Sequence, residues 1–439
     1  EALDKRIDPL DPPINAIIAR DRSALIAAAH ASDARWAAGQ PLSKLDGVPV
    51  TVKDNLHARG LPARWGSHAH ADEFPGTDEP AVARLRAAGM LIQGKTNVPE
   101  FTLQGYTGNL LFGTTFNPVA PGRTPGGSTG GGAAGVAAGY GPLAIGTDGG
   151  GSIRRPAAHC GLWGFKPSIG TVARAGGFPA ILHDFEVIGP IARDAADLHA
   201  IMSLLTGPDP VDLRSYRALA PLNPLPLAPQ VHAFRTIDSN PVDPEIAAAF
   251  EACLGRAAAL GWRITDGAEP FDATAVATVW KTVAEAGIAW HVSQHLNPSA
   301  VGENARSMAA AGAALSATDY LEALDGVRQI RAQAAELFET VDLVISPTIA
   351  ALAWAADRPF PDVINGHAVG PRGHAVFTAW ANVAGLPAMS FPIAMTRDGG
   401  GIGLQVIAGA GRDQALLDFA NSTLTILAAA APVPSRILP

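Results

Sequence analysis

The alternation of apolar and polar positions predicts short buried strands separated by helices along most of the chain. The apolar, β-branched run at 48–52 has the composition of a buried strand and delivers Lys53 at its end. Further strands are predicted over 90–93, 143–146 and 343–346. Because strands and helices alternate, we expect an α/β fold whose sheet is covered on both faces.

Helices are predicted where small and apolar residues recur at helical spacing. The predicted ranges are 24–38, 81–88, 133–138, 244–260, 273–293 and 317–339. Gly39 and Gly89 end the first two, and Ser316 or Thr318 caps the last. The segment 207–230 carries six prolines, so we expect a long surface connection there.

Composition places the chain among globular proteins with a large core. Hydrophobic residues make up 48% of the 439 positions and charged residues only 16%. Length alone suggests two or three domains, but the motifs described below are scattered from 45 to 410. We therefore expect a single domain over 1–439.

Charge and cysteine content exclude several classes of partner. The net charge is −8 and the basic residues are dispersed, so we expect no direct binding of nucleic acid. No apolar run reaches the ~20 residues of a membrane helix.

Two cysteines cannot form a disulfide framework, which favours a cytoplasmic location, and Cys160 is expected to be a buried packing residue. The chain starts at Glu1 in what resembles the end of a helix, so we expect that residues precede it.

Two glycine-rich loops carry the candidate chemistry. The first, at 126–131, contains Ser128, and the second, at 146–154, contains Ser152. A serine hydroxyl is a weak nucleophile until a base takes its proton, and Lys53 is the candidate base. Burial among apolar neighbours would lower the pKa of Lys53 and make it neutral enough for this role.

The second loop also has the composition of an oxyanion hole. Backbone N–H groups of Gly149, Gly150, Gly151 and Ser152 can approach a carbonyl oxygen because three of these residues lack a Cβ atom. A phosphate-binding P-loop needs a lysine and a Ser or Thr at fixed spacing, and neither loop has them.

The segments that contain Lys53, Ser128 and Ser152, in this order along the chain, resemble the amidase signature family of serine hydrolases. By that resemblance Lys53 is the base, Ser128 is the bridging serine after a cis peptide bond, and Ser152 is the nucleophile. Further matching segments lie at 94–101, 117–118, 164–168, 346–348, 384–387 and 403–405. The chain departs from the family pattern at Thr129, where a second serine is usual, and at Gly149, where a larger residue is common.

The resemblance implies a fold, a division of the chain and a reaction. The fold is one mixed, twisted sheet between helical layers. Residues 45–170 form the signature core with the catalytic residues, and 207–340 form a variable helical insertion that shapes the substrate pocket. The reaction is hydrolysis of a carboxylic amide, or a related C–N bond, through an acyl-enzyme on Ser152. Two alternatives are the glutaminase-type subunit of a tRNA-dependent amidotransferase and a non-catalytic binding protein on the same scaffold.

Residues around these loops are assigned supporting roles. Asp148 and Arg154 bracket the second loop and are expected to pair, and Thr129 supports the first loop. Candidate wall residues of the substrate pocket are Trp280, Trp290, Phe377 and Trp380, with Arg372 facing a substrate carboxylate.

A histidine-based triad and a metal site are the competing interpretations of the chemistry. The Gly-x-Ser-x-Gly elbow of histidine-dependent hydrolases is absent around Ser152. His68 and His70 lack a third clustered ligand, so we expect no metal and no cofactor. The expected partner is a small-molecule amide, without a membrane, and a homodimer is left open.

Overall fold

Within residues 2–216 and 223–429, the part of the chain that the computed structural model describes, eleven strands form one mixed sheet. The strands of the chain are β1 (Ile17–Ala19), β2 (Pro49–Lys53), β3 (Leu91–Thr96), β4 (Gly108–Asn109), β5 (Gly113–Thr114), β6 (Leu143–Asp148), β7 (Trp163–Lys166), β8 (Val187–Ala192), β9 (Gln230–Ala233), β10 (Arg263–Asp266), β11 (Leu343–Pro347), β12 (Val363–Ile364), β13 (His367–Ala368), β14 (Ala388–Met395) and β15 (Gly401–Ala408). The order in the large sheet is β1-β3-β2-β6-β8-β7-β14-β15-β11-β9-β10, and β4–β5 and β12–β13 form two small hairpins.

Helices flank this sheet. They are α1 (Ala2–Ile14), α2 (Arg22–Ala37), α3 (Pro80–Ala87), α4 (Gly130–Ala137), α5 (Arg154–His159), α6 (Ala195–Leu205), α7 (Pro244–Ala259), α8 (Ala273–His295), α9 (Glu303–Ala313), α10 (Ala317–Leu337), α11 (Ala379–Val383), α12 (Asp413–Phe419) and α13 (Thr425–Leu427). Every residue of β6, β8, β11 and β15 is buried, so the middle of the sheet is covered on both faces. The α/β class and the single domain with one mixed sheet are confirmed.

The predicted elements are present, with shifts of a few residues at their ends. Ser316 caps α10 through a capping box with Asp319. The first glycine loop turns into α4 at Gly130, three residues earlier than predicted, and β6 extends two residues further, to Asp148. Residues 217–222 of the predicted surface connection lie outside the described residues.

The sheet topology brings the two candidate catalytic segments to the same end of neighbouring strands. Strands β2 and β6 are parallel neighbours, so the carboxyl ends that carry Lys53 and Asp148 lie side by side. The loop after β6 leads directly into α5, and α4 starts just after Ser128. Both glycine loops therefore meet at the end of β2.

The segment 207–340 is not purely helical. It supplies α7 to α10, but also β9 and β10, which extend the edge of the sheet beyond β11 through parallel pairing. Among the described residues, none of the helices is both long and apolar enough to span a bilayer.

Candidate active site

Lys53 is buried at the end of β2, where three oxygen atoms surround its amine. Its Nζ donates to Ser128 Oγ at 2.8 Å, to Thr147 Oγ1 at 2.9 Å and to the Thr147 carbonyl at 3.0 Å. The residue has no exposed surface. The amine therefore contacts Ser128 and is held there by both oxygen atoms of Thr147.

Burial sets the protonation state of this amine. Removal from water lowers the pKa of Lys53 to about 7, although the carboxylates of Glu186 and Asp148 oppose that shift. Glu186 is itself held by Arg174 at 2.7 Å and by the side-chain amide of Asn55 at 3.0 Å. At neutral pH a substantial fraction of Lys53 is thus unprotonated and able to accept a proton.

Ser128 lies in a tight loop against a neighbouring backbone. The Gly127–Ser128 peptide bond is cis, and Ser128 is fully buried. A Cβ atom on Gly127 would lie 2.2 Å from the carbonyl oxygen of Tyr106, so only glycine fits there. Thr129 is also buried, and its hydroxyl donates to the Thr147 carbonyl at 3.2 Å.

Ser152 lies on the second loop and is the most accessible of the three candidate catalytic residues, at 6% exposure. Its carbonyl accepts a hydrogen bond from the Thr129 N–H at 3.1 Å, which joins the two glycine loops. Ser152 and Ser128 line the same narrow cleft of about 10 Å³, together with Gly149 and Gly150. The structure thus brings both serines to one cleft beside Lys53.

Asp148 and Arg154 form a buried ion pair that fixes the second loop. Arg154 donates from Nε and from one terminal nitrogen to the two carboxylate oxygens of Asp148, both at 3.0 Å. The same carboxylate accepts from the N–H of Gly151 at 2.6 Å and of Ile153 at 3.1 Å. Burial alone would raise the pKa of the Asp148 carboxyl, but Arg154 holds it well below its usual range. The ion pair therefore sets the backbone conformation around Ser152.

The peptide planes before Ser152 have fixed orientations. The carbonyl of Gly149 accepts from Trp280 Nε1 at 2.7 Å, and that of Gly150 accepts from the Thr378 hydroxyl at 2.7 Å. Because a trans peptide is planar, the N–H of Gly150 points away from Trp280. The N–H of Gly151 is engaged by Asp148 and is not directed at the cleft.

A larger cavity of about 890 Å³ adjoins the cleft. Cleft and cavity share lining residues, namely Leu103, Gln104, Arg155, Trp280 and Arg372. Apolar side chains including Ile237, Phe271, Val276 and Met308 form much of the cavity wall. Its volume suits a small organic ligand, which would reach Ser152 through the cleft.

Of the residues predicted to line the substrate pocket, some line the cavity and others do not. Trp280 lines both cleft and cavity, and the guanidinium of Arg372 stacks on its ring at 3.9 Å. Trp380 and Phe377 do not line the cavity. Both are core residues at 2% and 0% exposure, and Trp380 stacks behind the cavity residue Phe271 at 4.6 Å. Trp290 is half exposed and lines a separate groove.

None of the described histidines lines the cleft that contains Ser128 and Ser152. His70 Nε2 contacts His291 Nε2 at 3.1 Å, and burial lowers the pKa of His159 to about 3. Within the described residues there is no group of three His, Cys, Asp or Glu side chains that could hold a metal ion. Cys160 is fully buried, and burial raises the pKa of its thiol.

Comparison with known proteins identifies the family. The family model described as Amidase matches residues 1–417. The chain belongs to the amidase signature family. It is 35% identical to a glutamyl-tRNA(Gln) amidotransferase subunit of Thermus thermophilus, over 94% of this chain and 90% of that one. It is 33% identical to an acylamidase of Rhodococcus erythropolis, over 95% of this chain and 89% of that one.

Solved structures agree with this assignment. A bacterial aryl acylamidase of the amidase signature family superposes with a TM-score of 0.86 at 25% identity, over 99% of this chain and 93% of that one. This amidase is therefore a hydrolase of amide C–N bonds.

Several contacts in the amidase site were not anticipated from the sequence. Asn55 lies two positions after Lys53 and Thr147 directly precedes Asp148, which is a local signal that could have found them. Glu186 and Arg174 lie outside the recognised motifs, and only the tertiary structure shows that they lie next to the site. Arg155 directly follows the predicted Arg154, but its place on the cleft wall follows from the turn into α5.

Proposed function

We propose that the chain hydrolyses a carboxylic amide through an acyl-enzyme on Ser152, with Ser128 as the proton relay and Lys53 as the base. The observation that carries the proposal is the 2.8 Å hydrogen bond from a buried Lys53 to Ser128 at a cleft that Ser152 shares. Burial lowers the pKa of Lys166 to about 7 as well, so the lowered pKa of Lys53 supports the proposal only together with its hydrogen bond to a serine that lines the cleft.

In the first half-reaction Ser152 Oγ attacks the amide carbon. Its proton passes to Ser128, whose own hydroxyl proton passes to the neutral amine of Lys53. The ammonium of Lys53 then returns a proton through Ser128 to the leaving nitrogen. The C–N bond breaks, ammonia or an amine departs, and the acyl group remains on Ser152.

The negative charge that develops on the carbonyl oxygen needs preorganised donors. We assign this role to the N–H groups of Gly149, Gly150 and Ser152. The sequence also suggested Gly151, but the hydrogen bond from its N–H to Asp148 gives that group a structural role instead. Asp148, Arg154 and Thr129 hold the two loops in place.

The second half-reaction reverses the proton path with water as the nucleophile. Lys53, again neutral, accepts the water proton through Ser128, and the new hydroxyl attacks the acyl carbon. Collapse of the tetrahedral intermediate expels Ser152 Oγ, which recovers a proton from the relay. The products are a carboxylic acid and the free enzyme.

The substrate is a small organic amide that the cavity can enclose. Part of the wall comes from the segment 207–340, through residues such as Trp280 and Met308. Relatives named acylamidase and aryl acylamidase are in keeping with an apolar substituent in this cavity. We propose a cytoplasmic enzyme that binds neither nucleic acid nor membrane, with a homodimer left open.

The second candidate is a glutaminase-type subunit of a tRNA-dependent amidotransferase. The 35% identity to the Thermus thermophilus amidotransferase chain favours it. That function predicts glutaminase activity and co-purification with stoichiometric partner proteins. A chain that purifies alone, hydrolyses simple amides and ignores glutamine supports the amidase instead.

The test is a panel of aliphatic, aryl and anionic amides, with ammonia or amine release as the readout. We expect turnover of at least one class by the wild type and none by Ser152→Ala. If the wild type and Ser152→Ala both bind amides of the panel and neither hydrolyses them, a non-catalytic binding protein is favoured.

A further inference from the structure

Arg372 stands at the junction of the cleft and the cavity without a protein anion to bind. Its guanidinium stacks on Trp280, which in turn donates to the Gly149 carbonyl of the candidate oxyanion loop. Among the described residues no salt bridge or hydrogen bond joins Arg372 to another group. Its charged end is thus held in place by an aromatic face and left available to a ligand.

A second arginine adds positive charge to the same cleft. Arg155 is buried and also lines the cleft, where it donates to the Gly150 carbonyl at 2.5 Å, while its Nε atom lacks a partner among the described residues. Desolvation lowers the pKa of Arg155 to about 9, with Arg372 as the next cause. Two guanidinium groups that repel each other in a narrow cleft are stabilised when an anion lies between them.

Two carboxylates at the cleft and its loop are engaged by other groups, and of the three that line the cavity, Asp238, Glu285 and Glu303, none forms an ion pair with Arg372 within the described residues. Glu186, which also lines the cleft, is held by Arg174 and Asn55, and Asp148 is held by Arg154. The positive charges of Arg155 and Arg372 are therefore not neutralised by an ion pair within the described residues.

A neutral hydrogen-bonding group lies on the same wall. His374 is buried at 2% exposure and lines the cavity, and both of its ring nitrogens lack a hydrogen-bond partner among the described residues. Burial, followed by the charges of Arg155 and Arg372, lowers the pKa of His374 well below its usual value. A neutral imidazole can donate one N–H to an anionic ligand.

We propose that Arg372, with Arg155 beside it, binds a carboxylate of the substrate, so the enzyme acts on amides that carry a carboxylate close to the scissile bond. This inference rests on the proposed function, because the Ser152 cleft is where the amide must lie. A planar guanidinium matches a carboxylate in two parallel hydrogen bonds, and Trp280 fixes its plane. The carboxylate belongs either to the acyl side or to the amine side of the amide.

The test compares anionic amides with neutral amides of similar shape. Succinamate against isocaproamide probes the acyl side, and N-acetyl-β-alanine against N-isopentylacetamide probes the amine side. We expect kcat/KM to favour the anionic member of one pair, and this preference to fall about 10- to 100-fold in Arg372→Gln. Arg372→Lys should retain part of it. Arg397→Gln, which changes an exposed arginine outside the cavity, should retain all of it.

A separate binding measurement distinguishes failure of this inference from failure of the proposed function. Titration of Ser152→Ala with succinate should show binding that is lost when Arg372→Gln is added. Two results would overturn the carboxylate site alone. One is a wild-type enzyme that fluorophosphonate labels on Ser152 but that prefers neither anionic amide. The other is succinate binding that survives Arg372→Gln. Absence of labelling on Ser152 would instead overturn the proposed function.

Discussion

Lys53 and Ser128, 75 positions apart in the chain, are joined by a 2.8 Å hydrogen bond between two side chains that have no exposed surface. The parallel neighbours β2 and β6 position the lysine, and the glycine loop before α4 positions the serine. Because the contact is buried, the protonation state of Lys53 controls whether the hydroxyl of Ser128 can give up its proton.

This contact predicts how activity depends on pH. The pKa of Lys53 is lowered to about 7, and only the neutral amine accepts a proton. We therefore expect kcat/KM to rise with pH, with a half-maximal point near pH 7, as measured with a neutral amide. A profile that falls as pH rises through neutrality would remove Lys53 from the role of base.

The ion pair of Asp148 and Arg154 predicts a large stability effect. Asp148→Asn leaves the buried guanidinium of Arg154 without its counter-charge, and such losses cost about 3–5 kcal/mol. We expect a clear drop in thermal and urea midpoints. The matched control is Asp33→Asn, whose side chain is 84% exposed and which should unfold like the wild type. Equal midpoints for both variants would contradict the structural role of the pair.

Trp280 predicts an effect on catalysis without a change of fold. Trp280→Phe keeps an aromatic ring but removes the hydrogen bond to the Gly149 carbonyl, so the candidate oxyanion loop loses a restraint. A net loss of about 1–2 kcal/mol corresponds to a fall in kcat/KM of roughly 5- to 30-fold. Trp290→Phe in the same helix serves as the control, since its half-exposed ring lies outside the cavity. Similar kinetics for the two variants would exclude this role of Trp280.

The Lys53–Ser128–Ser152 arrangement also predicts independence from metal ions. Activity should survive prolonged incubation with EDTA, measured on the same amide before and after chelation. Loss of turnover that a divalent ion restores would point to a different mechanism.

The candidate site around Lys53, Ser128 and Ser152 could be predicted because these residues lie in short, recognisable motifs. Lys53, Ser128 and Ser152 each lie in a distinctive local sequence, and the structure brings them to one cleft. The pairing of Asp148 with Arg154 was also predictable, since six positions and one tight turn separate them.

Other features depend on long-range packing that no local pattern encodes. The prediction that Phe377 and Trp380 line the pocket is wrong, since both are buried in the core. The sequence does not distinguish an aromatic side chain that faces a cavity from one that packs in the core. Strand β8 lies in the middle of the sheet although it contains Gly189 and Pro190, which pattern rules place at edges and turns. Contacts such as that of Glu186 with Arg174 are set by tertiary structure.

The roles of the two serines differ in a way that labelling can separate. Ser152 forms the covalent bond, whereas Ser128 relays a proton. Ser128→Ala should therefore slow turnover by ~10²–10⁴ and still allow slow modification of Ser152. Cys160 is a further nucleophile to consider in the same experiment, although its thiol is buried.

The most direct test is to treat the enzyme with a fluorophosphonate probe and map the adduct by tandem mass spectrometry. We expect one adduct, on the peptide that contains Ser152, and none in Ser152→Ala. An adduct on Ser128 or Cys160 instead, or undiminished labelling of Ser152→Ala, would contradict the assignment of Ser152 as the nucleophile.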